Sequence, residues 1–257
     1  MSKKRILILI PARFASTRFP GKPLALISGI SMIQRVLVNC SRTQAPGIEF
    51  DSYVVTDDSR VEEHIKSFSP NVVRVDDEVI SGTLRIQLAY ERFFKDKNYD
   101  LVINVQGDEP LLDSVDLANL AQFHLKSSFD LTTLVKKKMK FEEDFLDSNK
   151  VKVAMSEDTG TAFYFSRAGI PFKRDLNADF KNDYWFLHIG VYSYRPIALT
   201  KFSIHPETRL ENLEKLEQLR ALEIGLTIGA HQTESFVIGV DCPEDIKKVE
   251  EVLNGRK

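Results

Sequence analysis

The sequence has few cysteines and almost no net charge, and both shortages exclude classes of protein. Its 257 residues include two cysteines, Cys40 and Cys242, whose separation fits neither a zinc site nor a redox motif. Cys40 lies in an apolar helical pattern, where we expect a small buried thiol. This cysteine usage favours a reducing compartment, and we expect a cytoplasmic protein.

Charge and hydropathy argue against nucleic-acid and membrane partners. The chain carries 35 lysines and arginines against 37 aspartates and glutamates, a formal net charge of −2. This balance provides no broad basic surface for nucleic acid or anionic lipid. No run approaches the ~20 apolar residues that span a bilayer. The first apolar run has only about six residues, whereas a signal-peptide core has roughly 7–15.

The first 135 residues alternate between strand and helix patterns. Apolar runs predict strands at 6–10, 52–56, 72–75, 101–105 and 131–134, and helical periodicity predicts helices at 32–42, 61–68, 83–96 and 115–125. This β-α-β rhythm predicts an α/β fold with a doubly wound, mostly parallel sheet. Because 43% of the residues are hydrophobic, the chain can build a large core.

The rhythm changes after about residue 140. Strand patterns at 151–155 and 162–165 flank a turn, and a further strand is predicted at 187–194. We expect an insertion over about 150–205 to form a small antiparallel extension with substrate and dimer surfaces. No repeat, low-complexity segment or linker interrupts the sequence, so we predict one compact domain spanning 1–257 that carries this insertion, in preference to two separable domains.

The last 50 residues predict two helices, at 210–224 and 243–253, with short strands at 227–230 and 235–238 between them. In the first helix we expect three glutamates to pair with two cations on a solvated side. These residues are Glu211, Glu214, Glu217, Lys215 and Arg220.

The loop after the first strand, over 11–24, is rich in groups that bind anions. It contains three cations, two hydroxyl side chains and a glycine: Arg13, Arg18, Lys22, Ser16, Thr17 and Gly21. Such a loop lies at the carboxyl end of an open α/β sheet, where ligands bind. Its mixture of groups suits a polyphosphate, although the Walker A pattern is absent. The alternative is a surface loop with a few salt bridges.

Two other strand ends carry carboxylates. Asp108 follows the strand at 101–105, and Asp241 follows Gly239 and Val240. Mg²⁺ takes one or two carboxylates and fills its remaining positions with phosphate oxygens and water. Alternatively, Asp241 caps the helix that begins at 243, and Asp108 is a turn carboxylate before a proline. The presence of both residues beside a cationic loop favours the Mg²⁺ site.

Seven blocks of this sequence resemble, in order, those of the 3-deoxy-manno-octulosonate cytidylyltransferases, or CMP-Kdo synthetases. The blocks are 11–24, 81–83, 104–110, 166–171, 188–192, 213–220 and 239–245. The resemblance covers nearly the whole chain. It implies a nucleotide-diphospho-sugar transferase-like fold with a dimerising extension. It also implies a Mg²⁺-dependent homodimeric enzyme that makes CMP-Kdo and pyrophosphate from CTP and Kdo for lipopolysaccharide synthesis.

The same resemblance implies a role for each matching residue. The nucleotide would be bound by Pro11, Ala12, Arg13, Lys22, Ser81, Gly82, Arg85 and Gln106. Asp108 and Asp241 would bind Mg²⁺ and form the catalytic set with Arg13 and Lys22. The sugar acid would be surrounded by Gln106, Arg167, His188, Tyr192, Glu217 and Gln218. Without the resemblance, the last five residues fit structural or solvated roles equally well.

One position departs from the family pattern. The family usually reads Ser-Gly-Thr-Asp-Arg, whereas this chain has Leu84 before Arg85. The substitution removes a carboxylate next to the expected base-binding site. It leaves open which base the site accepts and which group pairs with Arg85.

Two other functions stay open at this stage. A cytidylyltransferase for 8-amino-Kdo or another sugar acid could carry the same motifs, because one hydroxyl-to-amine change in the substrate need not alter them. A non-catalytic nucleotide-binding regulatory module is the alternative from another class. Such a module is expected to lose Lys22, Asp108 or Asp241, and all three are present.

Overall fold

The computed structural model describes residues 3–15, 19–79, 81–139, 141, 143–174, 184–235 and 238–255. The chain forms two compact units, one of residues 1–122 with 235–257 and the other of residues 123–234. The segment over 150–205 lies within the second unit.

The first unit begins the alternation of strands and helices. Its elements are β1 (Lys4–Ala12), β2 (Leu26–Ile27), β3 (Ile30–Ser31), α1 (Met32–Ser41), β4 (Ile48–Thr56), α2 (Ser59–Lys66), β5 (Val72–Arg74), α3 (Gly82–Ala89), β6 (Leu101–Asn104) and α4 (Ser114–Lys126). The last turn of α4 extends into the second unit.

The second unit supplies most of the remaining elements. In chain order they are β7 (Leu131–Lys138), α5 (Glu143–Leu146), β8 (Lys152–Met155), β9 (Ala162–Ser166), β10 (Trp185–Tyr194), α6 (Pro196–Ile204), α7 (Arg209–Glu214), α8 (Gln218–Glu223) and β11 (Ile228–Gln232). The final helix, α9 (Pro243–Gly255), belongs again to the first unit.

The sheet of the first unit is built from parallel strands in the order β6-β1-β4-β5. Residues 6–10 of β1 are fully buried, which explains why this strand reads as an uninterrupted apolar run. Leu9 of β1 pairs in register with Asn104 of β6. The loops that follow these two strands therefore leave the same edge of the sheet.

A hydrophobic cluster fixes the segment before α9. Ile27 of the β2–β3 hairpin, Leu111, Val240 and Val249 are all almost completely buried together. The backbone N–H of Val240 donates to the carbonyl oxygen of Asp108 at 2.9 Å. These contacts place residue 241 beside the turn after β6, although 133 positions separate Asp108 from Asp241 in the chain.

The second unit is mainly antiparallel. Strand β7 pairs in parallel with β11 and antiparallel with β10. Strand β8 pairs antiparallel with both β10 and β9. The α/β class, the mostly parallel sheet and the antiparallel strands of the 150–205 region are thus confirmed. The substrate and dimer roles of that region stay predictions.

The prediction of one helix over 210–224 is wrong. Helix α7 ends at Glu214 and α8 begins at Gln218, because Lys215 adopts a left-handed backbone conformation with φ of 51°. The expected pairing of Arg220 with glutamates is confirmed, since it pairs with Glu211 and its Nη2 lies 3.9 Å from Glu217 Oε1, but the solvated setting predicted for these pairs is wrong. Arg220 and Glu211 form a buried pair, with the Arg220 Nε donating to Glu211 Oε2 at 2.8 Å.

Other boundaries differ in smaller ways. The helix predicted over 83–96 is α3 followed by a π-helical turn at Tyr90–Phe94 and a 3₁₀ turn at Lys95–Lys97. Helix α6 was not predicted. Residues 236 and 237 of the strand predicted at 235–238 lie outside the described residues, and neither Ser235 nor Ile238 is in a strand. Within the described ranges, no helix combines the length and apolar character needed to cross a bilayer.

Candidate active site

A cavity of about 360 Å³ lies at the carboxyl edge of the first unit's sheet. Three chain segments form its wall: the loop after β1, the start of α3 and the turn after β6. The lining residues are Pro11, Ala12, Arg13, Ala15, Lys22, Pro23, Gly82, Gln106, Gly107 and Asp108. Six of the eight residues predicted to bind the nucleotide line this cavity, and Ser81 directly precedes one of them, Gly82. Arg18, Ser16 and Thr17 of the loop lie outside the described residues.

Close backbone approach explains the glycine beside Asp108. A Cβ atom on Gly107 would lie 2.8 Å from the carbonyl oxygen of Pro11, a distance that real Cβ atoms do not reach. The absence of a side chain lets the turn after β6 pack directly against the loop after β1. This packing brings Asp108 next to the cationic loop.

The ammonium of Lys22 lies near both predicted metal ligands, Asp108 and Asp241. It donates to Asp108 Oδ2 at 2.5 Å and to the carbonyl oxygen of Val240 at 2.9 Å. The Oδ1 atom of Asp241 lies 3.9 Å from the same nitrogen. Gly21, with φ of 73°, begins the 3₁₀ turn Lys22–Leu24 that carries this lysine. The structure thus brings together Lys22, Asp108 and Asp241.

Arg13 presents an unsatisfied donor in the same cavity. Its Nη2 atom is buried and has no hydrogen-bond partner among the described residues. A buried guanidinium nitrogen without a partner is costly, so it is expected to bind an anionic ligand. This observation supports the prediction that Arg13 binds phosphate.

Arg85 is not among the residues that line the cavity. Only 2% of its side chain is exposed, and it pairs with Asp57 at 2.7 Å. It also donates to the carbonyl oxygen of Val75. Burial lowers the pKa of Arg85. Asp57 therefore serves as its carboxylate partner in this chain, where Leu84 offers none. Ser81 caps α3 by accepting a hydrogen bond from the Leu84 N–H at 3.1 Å.

Glu109 is a carboxyl group that the sequence analysis missed. Burial, together with the charges of Asp108 and Asp241, raises its pKa to about 8. Its Oε2 atom is buried and lacks a hydrogen-bond partner within the described part of the chain. The sequence shows Glu109 next to Asp108, but it gives no sign that this side chain turns inward toward Gly239.

The donor atoms around Lys22 fit a magnesium ion. Two carboxylates and one carbonyl oxygen are hard ligands of the kind that Mg²⁺ prefers, with phosphate oxygens and water completing an octahedron. Throughout the described ranges, no group of three or more histidine, cysteine or acidic side chains is arranged to hold a metal. A Mg²⁺ site here would therefore rely on Asp108 and Asp241 together with ligand oxygens.

In the second unit, Arg167 is occupied by backbone contacts. Its guanidinium donates to the carbonyl oxygens of Glu214 at 2.7 Å, Ser148 at 2.8 Å and Lys215 at 3.3 Å. The Glu214 carboxylate in turn accepts from the Arg167 N–H at 2.9 Å. Arg167 therefore fastens the turn between α7 and α8.

His188 and Tyr192 lie close together on β10. Their ring centroids are 5.4 Å apart, and His188 Nε2 lies 3.1 Å from the Thr133 hydroxyl. Burial lowers the pKa of His188 to about 3 and raises the pKa of Tyr192 well above its ordinary value. His188 is therefore neutral near pH 7. The ring acts as a hydrogen-bonding group at this pH and cannot supply a positive charge.

The start of α8 adds two polar side chains to this region. Glu217 lies close enough to Tyr192 for its charge to raise the pKa of the phenol further. Gln218 is 6% exposed, and its Nε2 atom has no hydrogen-bond partner in the ranges that the structure describes. An unsatisfied buried amide is expected where a polar ligand binds.

Comparison with known proteins identifies the family. The family model described as cytidylyltransferase matches residues 7–228. The 3-deoxy-manno-octulosonate cytidylyltransferase of Thermodesulfovibrio yellowstonii is 38% identical over 96% of this chain and 97% of its own length. The chain belongs to the cytidylyltransferase family. Within this family, the enzyme of the same name from Cytophaga hutchinsonii is 42% identical over 95% of this chain and 96% of its own length.

One relative of this cytidylyltransferase is named for a different sugar acid from the two above. The 8-amino-3,8-dideoxy-manno-octulosonate cytidylyltransferase of Shewanella pealeana is 43% identical over 94% of this chain and 96% of its own length. Among solved structures, a CMP:2-keto-3-deoxy-manno-octonic acid synthetase complexed with CTP is similar to this chain, with a TM-score of 0.87 and 31% identity. That match covers 99% of this chain and 100% of the other.

Proposed function

We propose that this cytidylyltransferase transfers the CMP group of CTP to 3-deoxy-D-manno-octulosonate, producing CMP-Kdo and pyrophosphate for lipopolysaccharide synthesis. The convergence of Arg13, Lys22, Asp108 and Asp241 at one cavity supports this function most strongly. The names of its relatives at 38–43% identity and of the CTP-bound neighbour support the choice of both substrates.

The cavity of the first unit would hold CTP. Arg13 offers a buried N–H donor without a partner among the described residues, and Lys22 offers an ammonium in the lining of the same cavity. These two cations suit the triphosphate. Gln106 and Gly82 also line this cavity, where the nucleoside would contact them. Arg85 would support the cavity wall through Asp57 without contacting the nucleotide.

Asp108 and Asp241 would hold Mg²⁺. When bound, the ion would act as a Lewis acid on the α-phosphate and neutralise part of the triphosphate charge. Each carboxylate lies in a segment that the core holds in place. Asp108 lies in the turn after β6, and Asp241 lies in the segment before α9. The protein would therefore contribute a preorganised pair of oxygen ligands.

The reaction would form one phosphorus–oxygen bond and break another. The anomeric hydroxyl oxygen of the sugar acid would attack the α-phosphorus and lose its proton to solvent, while the bond from the α-phosphorus to the bridging oxygen would break and pyrophosphate would leave with that oxygen. Arg13 and Lys22 would stabilise the charge that grows on this leaving group. Catalysis of phosphoryl-type transfer depends mainly on such positioning and charge stabilisation.

Polar side chains of the second unit would bind the sugar acid. His188 and Tyr192 would act as neutral hydrogen-bonding groups toward its hydroxyls. The Nε2 atom of Gln218 would donate to it, and Glu217 would accept. Arg167 would act through the turn that it fastens, because its guanidinium already donates to three backbone carbonyls.

The second unit would also carry the dimer surface. Phe163 and Phe172 are 60% and 85% exposed, and a cavity of about 460 Å³ beside Phe163 is lined by several aromatic side chains. Large exposed apolar groups of this kind favour contact with another protein surface. We therefore propose a cytoplasmic homodimer that binds neither nucleic acid nor membrane, and light scattering should give twice the chain mass.

A second candidate substrate is 8-amino-Kdo. The relative from Shewanella pealeana, at 43% identity, is named for that amino sugar acid. A single amine in place of a hydroxyl requires only one changed contact, so the overall similarity supports both substrates.

A pyrophosphate-release assay would test the function. The purified protein should release pyrophosphate from CTP and Mg²⁺ in the presence of Kdo, and the value of kcat/KM for Kdo should exceed that for sialic acid by more than about 100-fold. The same measurement with 8-amino-Kdo distinguishes the two octulosonates. CTP binding without turnover on any of the three acids would favour a regulatory module.

A further inference from the structure

The ammonium of Lys22 lies in a cage of oxygen atoms. Its Nζ atom lies 2.5 Å from Asp108 Oδ2, 2.9 Å from the Val240 carbonyl oxygen and 3.9 Å from Asp241 Oδ1. These oxygens belong to two segments that are distant in sequence. Only 15% of the Lys22 side chain is exposed. Hard oxygen ligands from carboxylates and a carbonyl are also the environment of a divalent cation.

We infer that Lys22 and the divalent cation compete for one position between Asp108 and Asp241, a role that presupposes the proposed function. A charged nitrogen lies about 2.7–2.9 Å from a carboxylate oxygen, and Mg²⁺ lies about 2.0–2.1 Å from its ligands. The ammonium already holds one oxygen of Asp108 and lies 3.9 Å from Asp241, so a metal ion bound between these two carboxylates would lie next to it. The ammonium and a metal ion that share these carboxylates would be neighbours, and two adjacent positive charges repel each other strongly. The metal ion therefore enters only when the ammonium leaves.

The triphosphate provides Lys22 with another partner. Lys22 lies on the wall of the cavity that also contains Arg13, so a phosphate oxygen bound there is within the range of a flexible lysine side chain. When the ammonium moves to phosphate, Asp108 and Asp241 become available to the cation that accompanies the nucleotide. Binding of nucleotide and metal is therefore cooperative, and each strengthens the other by the same factor.

Before the nucleotide binds, Lys22 replaces the metal as the positive charge between two acidic groups. It offsets the repulsion between Asp108 and Asp241 and connects the turn after β6 to the segment before α9. The site is thus preassembled without a metal ion, and free metal binds weakly because it must displace the lysine.

Binding of Mn²⁺, used as a probe and followed by the electron paramagnetic resonance signal of the free ion, tests this competition. Without nucleotide, Lys22→Met should bind Mn²⁺ about tenfold more tightly than the wild type, within the 5–150-fold range that is typical of coupled sites. CTP should strengthen Mn²⁺ binding by a larger factor in the wild type than in this variant.

Two controls make the comparison specific. Lys66→Met also removes one positive charge from the first unit, but Lys66 pairs with Glu62 on the surface, so its Mn²⁺ affinity should equal that of the wild type. Adding Asp108→Asn to Lys22→Met should abolish the gain. Lys22→Gln provides the same comparison if Lys22→Met does not fold.

Two results would overturn the inference. A folded Lys22→Met protein that binds Mn²⁺ no more tightly than the wild type without nucleotide would show that the lysine does not compete. A wild-type protein that binds no Mn²⁺ even with saturating CTP would contradict the metal site of the proposed function, and the competition with it.

Discussion

Individual side chains of the first unit divide into those that hold the protein together and those that face the cavity. Arg13 keeps a buried donor without a partner among the described residues, whereas Arg85 is bound to Asp57 and to the Val75 carbonyl. Both arginines were predicted to bind the nucleotide. Their surroundings favour this role for Arg13 and a supporting role for Arg85.

Replacement of Arg85 by alanine should reduce the free energy of unfolding by about 2–3 kcal/mol, because it leaves Asp57 unpaired in a partly buried site. Urea denaturation measures this loss. Arg92→Ala is the matched control, since Arg92 pairs with Asp77 at the surface, and little change is expected there. An Arg85→Ala protein of normal stability with greatly weakened CTP binding would instead assign Arg85 to the nucleotide.

Secondary-structure elements with a strong local signal are the ones that the sequence analysis predicted. Buried strands such as β1 consist of adjacent apolar residues, so their pattern is visible without any knowledge of their partners. The break between α7 and α8 has no such signal. It depends on Arg167, which contacts the carbonyl oxygens of Glu214 and Lys215 from a position 47 residues earlier. The charged residues over 210–224 follow a helical spacing, so this spacing predicted one continuous helix where the structure has a turn between α7 and α8.

The turn requires Lys215 to adopt a left-handed backbone conformation, which costs a non-glycine residue roughly 1–2 kcal/mol. Lys215→Gly should therefore raise the free energy of unfolding by about 0.5–1 kcal/mol, after the entropy of the added glycine is included. Lys215→Val should lower it, because a β-branched residue tolerates this conformation poorly. Denaturation midpoints that change equally in both variants would contradict this explanation.

At the scale of the whole molecule, the candidate site combines residues that only the fold brings together. The chemistry of Lys22, Asp108 and Asp241 was predictable from cations and carboxylates at strand ends. Their meeting at one nitrogen depends on the Val240–Asp108 hydrogen bond and on a hydrophobic cluster that includes Val249. No local pattern contains this information, and the buried side chain of Glu109 was missed for the same reason.

Two histidines, the buried His124 and the half-buried His188, should make stability depend on pH. Burial lowers the pKa of His124 to about 4 and that of His188 to about 3, whereas an unfolded histidine titrates near 6.5. As the pH falls below about 6.5, the unfolded chain takes up protons and the folded chain does not. The free energy of unfolding should therefore decrease, by about 3 kcal/mol from His124 alone by pH 4.

Urea denaturation at pH 7 and pH 5 measures this effect in a range where most carboxylates stay ionised. His124→Gln should have a smaller pH dependence than the wild type, even though it loses the hydrogen bond to Ser193. His205→Gln, which alters an exposed ring, is the control. Equal stability of the wild type at both pH values would contradict the burial of neutral histidines.

The most direct test of the central claim is the rate of pyrophosphate release from CTP and Kdo in the presence of Mg²⁺, measured for the wild type and Asp241→Asn. If Asp241 and Asp108 act together on one cation, the variant should fold normally and lose at least about 100-fold in kcat. A folded Asp241→Asn protein with a nearly normal, Mg²⁺-dependent rate would contradict it.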